Sequence, residues 1–492
     1  MRFFWQLFFA ALVAASPALD QSSVNGCKSL ASKFQDRVVY PNSVAYANET
    51  AAYWAQNVIL QPSCVFIPRD SNEVAVAIPI LKASNTKFAV RGNGHMTVKG
   101  AASISNGVLI VLTNFRQMTI SSDSTVASIG PGLKWIDVCI WIQQYNRVVV
   151  GARYAPVGVS GFLLGGGISF LGGQYGWGAN SVINYEVVTA EGKIIQVNKT
   201  SNSDLFWALK GGGSNFGIVT RFDVQTHPTG QIYGGLMTWN QSTVDGAVNA
   251  LAAFATPGGG IDDPKAALLP NVAIDPASKT QSAAFFGFYN DADATVLKNF
   301  TDTASLNLAK VTTYADLIAG TAAGAAGNFR AAFHCGSFKA SAQTVKLIND
   351  TVTRDAYKNL SDLEGVTISL SIQPLAKSWF DASRKAGGDA IDIDPSAGSL
   401  IVLNLVVQWK NAADDTKIAT WSDDILAKLS EEAKKLGLGS EFIYLNDAQE
   451  GAKPFPTYGG GKSRARLLSI RKKYDANGVF QNLMPGGFKL GD

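Results

Sequence analysis

The pattern of apolar and polar positions changes twice along the chain. Between Val65 and Val224, short apolar runs typical of β-strands alternate with glycine-rich turns and with helix-like segments such as NEVAVAIPILKAS. From about Gly230 to Gly439 the sequence holds alanine-rich helical stretches and longer apolar strands such as SLIVLNLVVQW. Residues 441–492 return to aromatic and glycine-rich sequence. These sequence patterns predict two lobes of mixed α and β structure and a C-terminal segment that packs back on the first lobe.

Composition excludes several classes of function. The chain has 492 residues, 47% hydrophobic and 16% charged, so it can bury a large core. Its net charge is +4 and its basic residues are scattered, so we expect no nucleic-acid partner. No CxxC pair and no cluster of His and Cys is present, and we therefore expect no metal site.

The N-terminus has the layout of a secretory signal peptide. One Arg precedes an apolar run of about a dozen residues and then small residues, in MRFFWQLFFAALVAASPA. We predict a signal peptide at residues 1–18 and a secreted protein. An uncleaved anchor is the alternative, although the run is shorter than the ~20 apolar residues that span a bilayer. No later segment is apolar enough for stable insertion in a membrane.

An oxidising compartment allows a disulfide and glycans. Of the four cysteines, Cys27 and Cys64 flank one N-terminal helical stretch, and we expect them to pair. Cys139 and Cys335 lie in apolar or small-residue sequence typical of buried thiols. Acceptor sequons, some of which should carry glycans on exposed loops, begin at Asn48, Asn198, Asn240, Asn299, Asn349 and Asn359.

Glycine clusters supply the strongest chemical signal. In FAVRGNGH, Phe88 to His95, glycines allow successive backbone N–H groups to face a phosphate, although a plain turn before a surface His is an alternative. From Ala155 to Asn180, repeated glycines allow the main chain to lie flat against a large planar ligand. A third cluster runs from Lys210 to Val224. Together they indicate a long ligand, unless they are only hairpin turns.

Two common nucleotide-binding motifs are missing from these clusters. The second cluster follows a strand but lacks the GxGxxG spacing of a dinucleotide-binding turn. It also lacks the GxxxxGK[ST] lysine of an ATPase. Rossmann and P-loop enzymes are therefore disfavoured.

The ordered motifs resemble one enzyme family. RGNGH is similar to the RGxGH flavinylation motif of the berberine bridge enzyme-like branch of the vanillyl-alcohol oxidase and para-cresol methylhydroxylase flavoproteins. PVGVSGFLLGGGISF resembles the flavin loop of that family, GGSNFGIVT its adenine-side segment, and YLND with YDANGVFQ its C-terminal tail. The resemblance covers nearly the whole mature chain.

The resemblance implies an α+β fold. Residues 19–59 would be an N-terminal helical segment and residues 60–229 a para-cresol methylhydroxylase-type FAD-binding domain in two parts. Residues 230–440 would be an α/β substrate domain with an antiparallel sheet. Residues 441–492 would be the berberine-bridge segment that packs back on the FAD domain.

The same resemblance assigns the FAD site. His95 would carry FAD covalently, and Asn446 would lie near the pyrimidine edge of the flavin ring. The residues implied as cofactor-binding are Arg91, Gly92, Asn93, Gly94, Met96, Val157, Gly158, Val159, Gly161, Gly165, Gly166, Gly167, Gly217, Ile218 and Val219. Many family members have a second, cysteinyl attachment just before the flavin loop, where this chain reads RYAPVG. We therefore expect a single covalent bond.

Catalysis would require a base and a substrate pocket. Tyr444, in the YxN pattern with Asn446, is our candidate base, and an aromatic wall is its alternative role. Gln373 and Gln408 end apolar strands and are candidates for substrate contacts. Asp447 is the nearby acid and is alternatively a structural cap. Trp379 and Trp409, with Tyr154, are candidate aromatic walls.

Three functions follow. The first is an oxidase of a small alcohol, sugar, aromatic or alkaloid-like metabolite, monomeric, that transfers a hydride to the flavin. The resemblance places Val157 at the family's oxygen-gating position, and a small Val there is expected to leave room for dioxygen as acceptor, with peroxide as product, although a dehydrogenase stays open. The second is oxidative cyclisation in natural-product synthesis. The third is a secreted glycoprotein that keeps the fold without turnover.

Overall fold

The computed structural model describes residues 20–322 and 329–491, so the predicted signal peptide at residues 1–18 lies outside the described residues. Helices and strands alternate along the chain, and the strands form sheets of four, five and nine strands and one two-stranded ladder. The α+β class predicted from the sequence is confirmed.

The four-stranded sheet belongs to the N-terminal part of the first lobe. Its elements are α1 (Gln21–Lys33), β1 (Val38–Val39), α2 (Val44–Ala51), β2 (Cys64–Phe66), α3 (Ser71–Ala83), β3 (Phe88–Arg91) and β4 (Val108–Val111). The strand order is β1-β2-β4-β3, with β2, β4 and β3 parallel. Parallel strands need a crossover connection, and α3 lies in the connection between β2 and β3. Asp70 caps the N-terminus of α3, because its carboxylate accepts the N–H groups of Asn72 and Glu73.

A five-stranded antiparallel sheet completes the first lobe. The elements of this part are β5 (Met118–Ile120), β6 (Val126–Ile129), α4 (Trp135–Gln143), β7 (Arg147–Val148), α5 (Val159–Leu164), α6 (Gly172–Tyr175), β8 (Val182–Val188), β9 (Ile194–Asn198), α7 (Ser203–Leu209), β10 (Ile218–Gln225) and β11 (His227–Pro228). The order is β5-β6-β10-β8-β9. β11 pairs with β7 just before the second lobe begins.

The second lobe is a nine-stranded antiparallel sheet with helices. Its elements are β12 (Ile232–Trp239), α8 (Val244–Phe254), β13 (Ala266–Asp275), β14 (Thr280–Tyr289), α9 (Lys298–Thr301), β15 (Leu306–Asn307), β16 (Lys310–Thr312), α10 (Tyr314–Gly320), β17 (Arg330–Lys339), α11 (Ala342–Asn359), β18 (Thr367–Leu375), α12 (Lys377–Lys385), β19 (Leu400–Trp409), α13 (Asp415–Lys435) and β20 (Gly439–Ser440). The order is β15-β12-β14-β13-β18-β19-β17-β20, and β16 also pairs with β12.

The pleat of this sheet separates a core face from a polar face. Ile368, Leu370 and Ile372 of β18 are buried in one cluster with residues of α8, α11 and α13. Side chains alternate along a strand, so Ser369 and Gln373 point to the opposite face. That face borders the cavity described below.

The C-terminal segment packs on the first lobe, as predicted. Helix α14 (Ser463–Tyr474) contacts α7. Lys473 Nζ lies 2.8 Å from Asp204 Oδ2. The buried Asn215 side chain accepts the N–H of Leu490 at 3.2 Å and the amide of Gln481 at 3.1 Å. These contacts fix the tail beside the third glycine cluster.

The cysteines follow the prediction. Cys27 and Cys64 form a disulfide that joins α1 to β2. Cys139 and Cys335 are free and buried. Among the residues that the structure describes, no helix is long and apolar enough to cross a bilayer.

The sequons differ in accessibility. Asn48, Asn240, Asn299 and Asn359 are exposed, and Asn198 is half-buried. Asn349 is 8% exposed on α11, and its side chain bonds to those of Gln281 and Asp350. Asn349 is therefore not an exposed acceptor, because one face of α11 packs on the sheet.

Candidate active site

A cavity of about 560 Å³ lies between the two lobes. The glycine-rich segments around residues 92–96, 157–165 and 213–219 line its first-lobe side. Strands β13, β18 and β19 line the opposite side, and residues 444–447 and 484–488 complete the wall. The three glycine clusters predicted to hold one long ligand thus meet at one cavity.

His95 faces this cavity from the turn after β3. Its ring centroid lies 4.9 Å from that of Trp54, 5.8 Å from that of Tyr154 and 6.4 Å from that of Phe333. No hydrogen bond to its imidazole is present within the described part of the chain. Burial, and then the charge of Lys134, lower the pKa of His95 to about 4. At neutral pH the imidazole is uncharged and keeps a free nitrogen lone pair.

The glycine wall leaves space for a flat ligand. A Cβ at Gly161 would meet no heavy atom within 4 Å. A Cβ at Gly158 would lie 2.8 Å from the side chain of Asn93, and one at Gly165 would overlap Asn446. The main chain therefore approaches both the cavity and its polar neighbours more closely than a side chain would allow. The wall has room for the planar ring of FAD and for its pyrophosphate.

Most of the predicted cofactor residues are brought together here. The residues that line the cavity are Gly92, Asn93, Gly94, His95, Met96, Val157, Gly158, Gly161, Gly165, Gly217, Ile218, Val219 and Asn446.

Arg91 does not line the cavity. Its guanidinium binds the carboxylate and the carbonyl oxygen of Glu49 and lies 5.2 Å from the ring centroid of Tyr53. Successive side chains of β3 point to opposite faces, and Val90 is the one that faces the cavity. The Arg91 side chain therefore points away from the cavity, and the predicted contact of residue 91 with the pyrophosphate stays a prediction.

Three predicted residues of the flavin loop lie behind the wall. Val159 is fully buried in the core of the first lobe. Gly166 and Gly167 have φ of +110° and +97°, which favours glycine. The N–H of Gly167 donates to Tyr444. These residues shape the loop and do not themselves border the cavity.

Several cavity residues carried no local signal in the sequence. Trp54 reaches the cavity from the N-terminal region, Phe333 from β17, and Met484 and Phe488 from the C-terminal tail. The predicted walls Trp379 and Trp409 are instead buried in the cores of the two lobes. An aromatic residue beside a glycine cluster in space need not be near it in sequence.

A chain of hydrogen-bonded polar side chains crosses the second-lobe side of the cavity. Gln373 Nε2 donates to Asp447 Oδ2 at 2.8 Å, and Arg153 Nη2 donates to Gln373 Oε1. Burial raises the pKa of Asp447 to about 6, against the hydrogen bond of Gln373 and the charge of Arg153. Burial also lowers the pKa of Arg153 to about 10, so it stays cationic at neutral pH.

The sheet adds further polar groups to this side. They are Asn271 on β13, Ser369 and Ser371 on β18, and Asn404 and Gln408 on β19. Asn404 Oδ1 is buried without a hydrogen-bond partner in the described chain. A buried acceptor of this kind is satisfied when a ligand donates to it.

Tyr444 lies at the cavity but is held by three donors. Its hydroxyl oxygen accepts the N–H groups of Gly167 and Ile168, each at 3.1 Å, and Asn446 Nδ2 at 3.0 Å. Its ring stacks on Trp177 at 5.6 Å between centroids. Burial, and then the charge of Asp447, raise the pKa of Tyr444 above its usual value.

Comparisons of sequence agree with the site. The sequence model of a family described as "FAD binding domain" matches residues 62–198. The FAD-dependent monooxygenase prx3 of Penicillium roqueforti is 38% identical over 490 residues, which cover 95% of this chain and 93% of that protein. The bifunctional solanapyrone synthase of Alternaria solani is 30% identical over 507 residues, covering 96% and 93%.

Comparisons of structure show proteins with the same fold. The glucooligosaccharide oxidase of Acremonium strictum, described with a 6-S-cysteinyl, 8α-N1-histidyl FAD, has a TM-score of 0.75 at 18% identity, covering 95% of this chain and 99% of that one. A variant of berberine bridge enzyme, described as a reticuline dehydrogenase, has a TM-score of 0.73 at 15% identity, covering 94% and 99%.

The cavity, the glycine wall and the 38% identity over nearly the whole chain lead to one conclusion. The chain is an FAD-binding oxidoreductase that belongs to the family of the FAD-dependent monooxygenases it matches, and it has the fold of glucooligosaccharide oxidase and berberine bridge enzyme.

Proposed function

We propose that this protein is a secreted oxidase that carries FAD on His95 through a single covalent bond and oxidises a small alcohol, sugar, aromatic or alkaloid-like metabolite. Dioxygen is the electron acceptor, and hydrogen peroxide is released. The observation that carries the proposal is the position of His95 at a cavity with a glycine wall on one side and a polar sheet on the other.

The first-lobe side would hold the cofactor and the second-lobe side the substrate. FAD supplies a two-electron oxidant when bound. The glycine wall admits the ring, and the N–H groups of residues 92–94 suit the pyrophosphate. Gln373, Gln408 and Asn404 would bind oxygen atoms of the substrate.

Single attachment is supported by the surroundings of His95. The neighbour of His95 from the RYAPVG segment is Tyr154, a phenol that cannot supply a thioether. Both free cysteines are buried, and neither is among the residues that line the cavity. Val157 does line it, and its small side chain supports access for dioxygen.

Acid precipitation tests the cofactor link. Native protein should retain yellow flavin in the acid pellet, whereas His95→Ala should release FAD to the supernatant. Asp423→Asn, on α13 and outside the cavity, is the matched control and should behave as the native protein does. Free FAD in the native supernatant would disprove the covalent bond.

Turnover is tested on the same preparation. Benzyl alcohol, geraniol, D-glucose and cellobiose represent the substrate classes, with flavin bleaching in the absence of oxygen and peroxide release in air as readouts. Bleaching without peroxide in air would indicate a dehydrogenase. Flavin that no substrate of any of these classes bleaches would favour the alternative of a non-catalytic glycoprotein.

A second candidate is oxidative ring closure in natural-product synthesis. The relative named bifunctional solanapyrone synthase, 30% identical over nearly the whole chain, supports a role in synthesis. Simple oxidation and oxidative cyclisation both remove two hydrogens, so the mass of the product does not separate them. NMR of the product does, because only cyclisation adds a ring.

Secretion and a monomeric state are tested by expression in a secreting eukaryotic host. We expect protein in the medium whose N-terminus follows residue 18, whose mass falls on removal of N-glycans and whose size in solution is that of one chain. Retention in the cell would refute secretion, and a larger size in solution would refute the monomer.

A further inference from the structure

Arg153, Gln373 and Asp447 come from three distant parts of the chain and meet at the cavity. Arg153 lies in the loop after β7, Gln373 on β18, and Asp447 at the start of the C-terminal segment. Arg153 Nη1 donates to the carbonyl oxygen of Leu268 at 2.9 Å, which fixes the guanidinium. Nη2 donates to Gln373 Oε1. The polar chain therefore begins at an anchored cation.

The orientation of the Gln373 amide follows from this contact. A guanidinium only donates, so the oxygen of the amide must face Arg153 and its NH₂ group must face Asp447. The NH₂ group donates to Asp447 Oδ2 at 2.8 Å. No hydrogen bond within the described residues reaches Oδ1. One carboxylate oxygen is thus held, and the other is available at the cavity.

Tyr444 has the opposite arrangement. A base must offer a free lone pair to the proton that it accepts. A neutral phenol oxygen has two lone pairs, and the N–H groups of Gly167 and Ile168 already occupy those of Tyr444. Its contacts suit a residue that positions the flavin loop and Asn446.

We infer that Asp447, and not Tyr444, accepts the hydroxyl proton of the substrate, and that Arg153 and Gln373 position its carboxylate for this step. The inference rests on the proposed function. As the alcohol becomes a carbonyl compound, the O–H bond breaks, its proton passes to Asp447 Oδ1, and its electron pair forms the second C–O bond. The carbon-bound hydrogen leaves with its electron pair to the bound FAD, which is the oxidant.

The charges around Asp447 suit this role. Arg153 is the cation that faces it, and Tyr444 and Cys335 are the other titratable groups whose pKa it affects. Both of those groups are neutral at physiological pH, because burial raises the pKa of each. The pKa of Asp447 is raised to about 6, so the carboxylate is ionised at neutral pH and is still basic enough to take a proton.

The first test needs no substrate. A carboxylate that ionises beside the flavin changes its visible spectrum, so the absorbance of the holoenzyme is followed between pH ~4.5 and ~8. We expect a step near pH 6 in the native protein, in Tyr444→Phe and in the Asp423→Asn control. The step should be absent from Asp447→Asn. Gln373→Leu should move it to higher pH, because a donor that favours the carboxylate is lost.

The second test measures the chemical step. Flavin reduction by benzyl alcohol, geraniol, D-glucose and cellobiose is followed without oxygen. With each alcohol that reduces the native flavin, Asp447→Asn should slow reduction by ~10²–10⁴-fold and lose the dependence on pH near 6. Tyr444→Phe should keep that dependence. FAD content, measured after acid precipitation, should be unchanged in Asp447→Asn.

The results separate this inference from the proposed function. A native spectrum without a step near pH 6, or a step that persists in Asp447→Asn, overturns the role of Asp447. Reduction of Asp447→Asn at the native rate does so as well. If the native protein carries no covalent FAD, the proposed function is refuted, and this result is distinct from those that overturn the role of Asp447.

Discussion

Replacing Gly161 by alanine adds a methyl group to the cavity wall without disturbing the wall. An ideal Cβ at this position has no heavy atom within 4 Å. Gly161 lies inside α5, and glycine within a helix costs about 0.5–1 kcal/mol relative to alanine. Without cofactor, Gly161→Ala should therefore raise the free energy of unfolding by about 0.5–1 kcal/mol.

Gly165→Ala is the comparison for Gly161→Ala, because it adds the same methyl group at the end of α5. Its Cβ would overlap the side chain of Asn446. Displacing Asn446 removes its hydrogen bonds to Phe162 O and to the Tyr444 hydroxyl. At about 0.5–1.5 kcal/mol for each bond, the free energy of unfolding should fall by about 1–3 kcal/mol.

Both changes are made in a His95→Ala background, from which FAD can be removed and titrated back. Urea denaturation followed by circular dichroism gives the stability of the protein without cofactor, and quenching of FAD fluorescence gives the dissociation constant. In the cavity, the Gly161→Ala methyl group overpacks the bound ring. We expect a cost of about 1–3 kcal/mol, which is roughly a five- to 150-fold weaker affinity.

The two readouts must diverge for Gly161→Ala. A more stable protein that binds FAD more weakly supports a cofactor site against α5. If FAD binds Gly161→Ala as tightly as the His95→Ala parent, the ring does not lie against this wall. If the variant without cofactor is less stable than the parent, the added methyl group is not accommodated without strain, and the predicted gain in stability is wrong.

Three further predictions follow from other contacts. Trp54→Ala removes the aromatic ring nearest to His95, so the acid-stable fraction of flavin should fall, with Trp54→Phe restoring most of it; equal fractions in all three proteins would disprove the role of the ring. Cys27→Ser opens a disulfide between residues 37 apart and should lower the free energy of unfolding by about 4 kcal/mol; a urea midpoint unchanged under oxidising conditions would contradict this. Arg153→Met removes a cation that lowers the pKa of Asp447, so the spectral step near pH 6 should move to higher pH, and a shift to lower pH would refute the assignment.

The sequence predicted the local features well. A main chain can approach a ligand closely only where the residue is glycine, and the spacing of glycines is visible in the sequence without a structure. Gly92, Gly94, Gly161 and Gly165 therefore reach the cavity as predicted, together with His95. The changes in apolar and polar pattern along the chain likewise predicted the two lobes and the C-terminal segment that packs on the first lobe. Such patterns repeat with the period of the helix or strand that they form.

The direction of individual side chains was harder to predict. Arg91 belongs to the right motif, yet it points to Glu49, because the pleat of β3 turns it away from the cavity. Val159 likewise faces the core from a helix whose Gly161 borders the cavity. A motif gives the position of the main chain, and the pleat or helical turn decides which side chains reach the site.

The amino-acid sequence by itself indicated the family, the cofactor class and the histidine expected to carry the cofactor, because these depend on residues close together in the chain. Only the tertiary structure decided which groups surround His95 and which acid meets Gln373 at the cavity. Trp54 and Phe333 come from different lobes, and Asp447 meets Gln373 only when the tail closes on the sheet. The pKa values of such groups depend on burial and on neighbours in space, which no local pattern records.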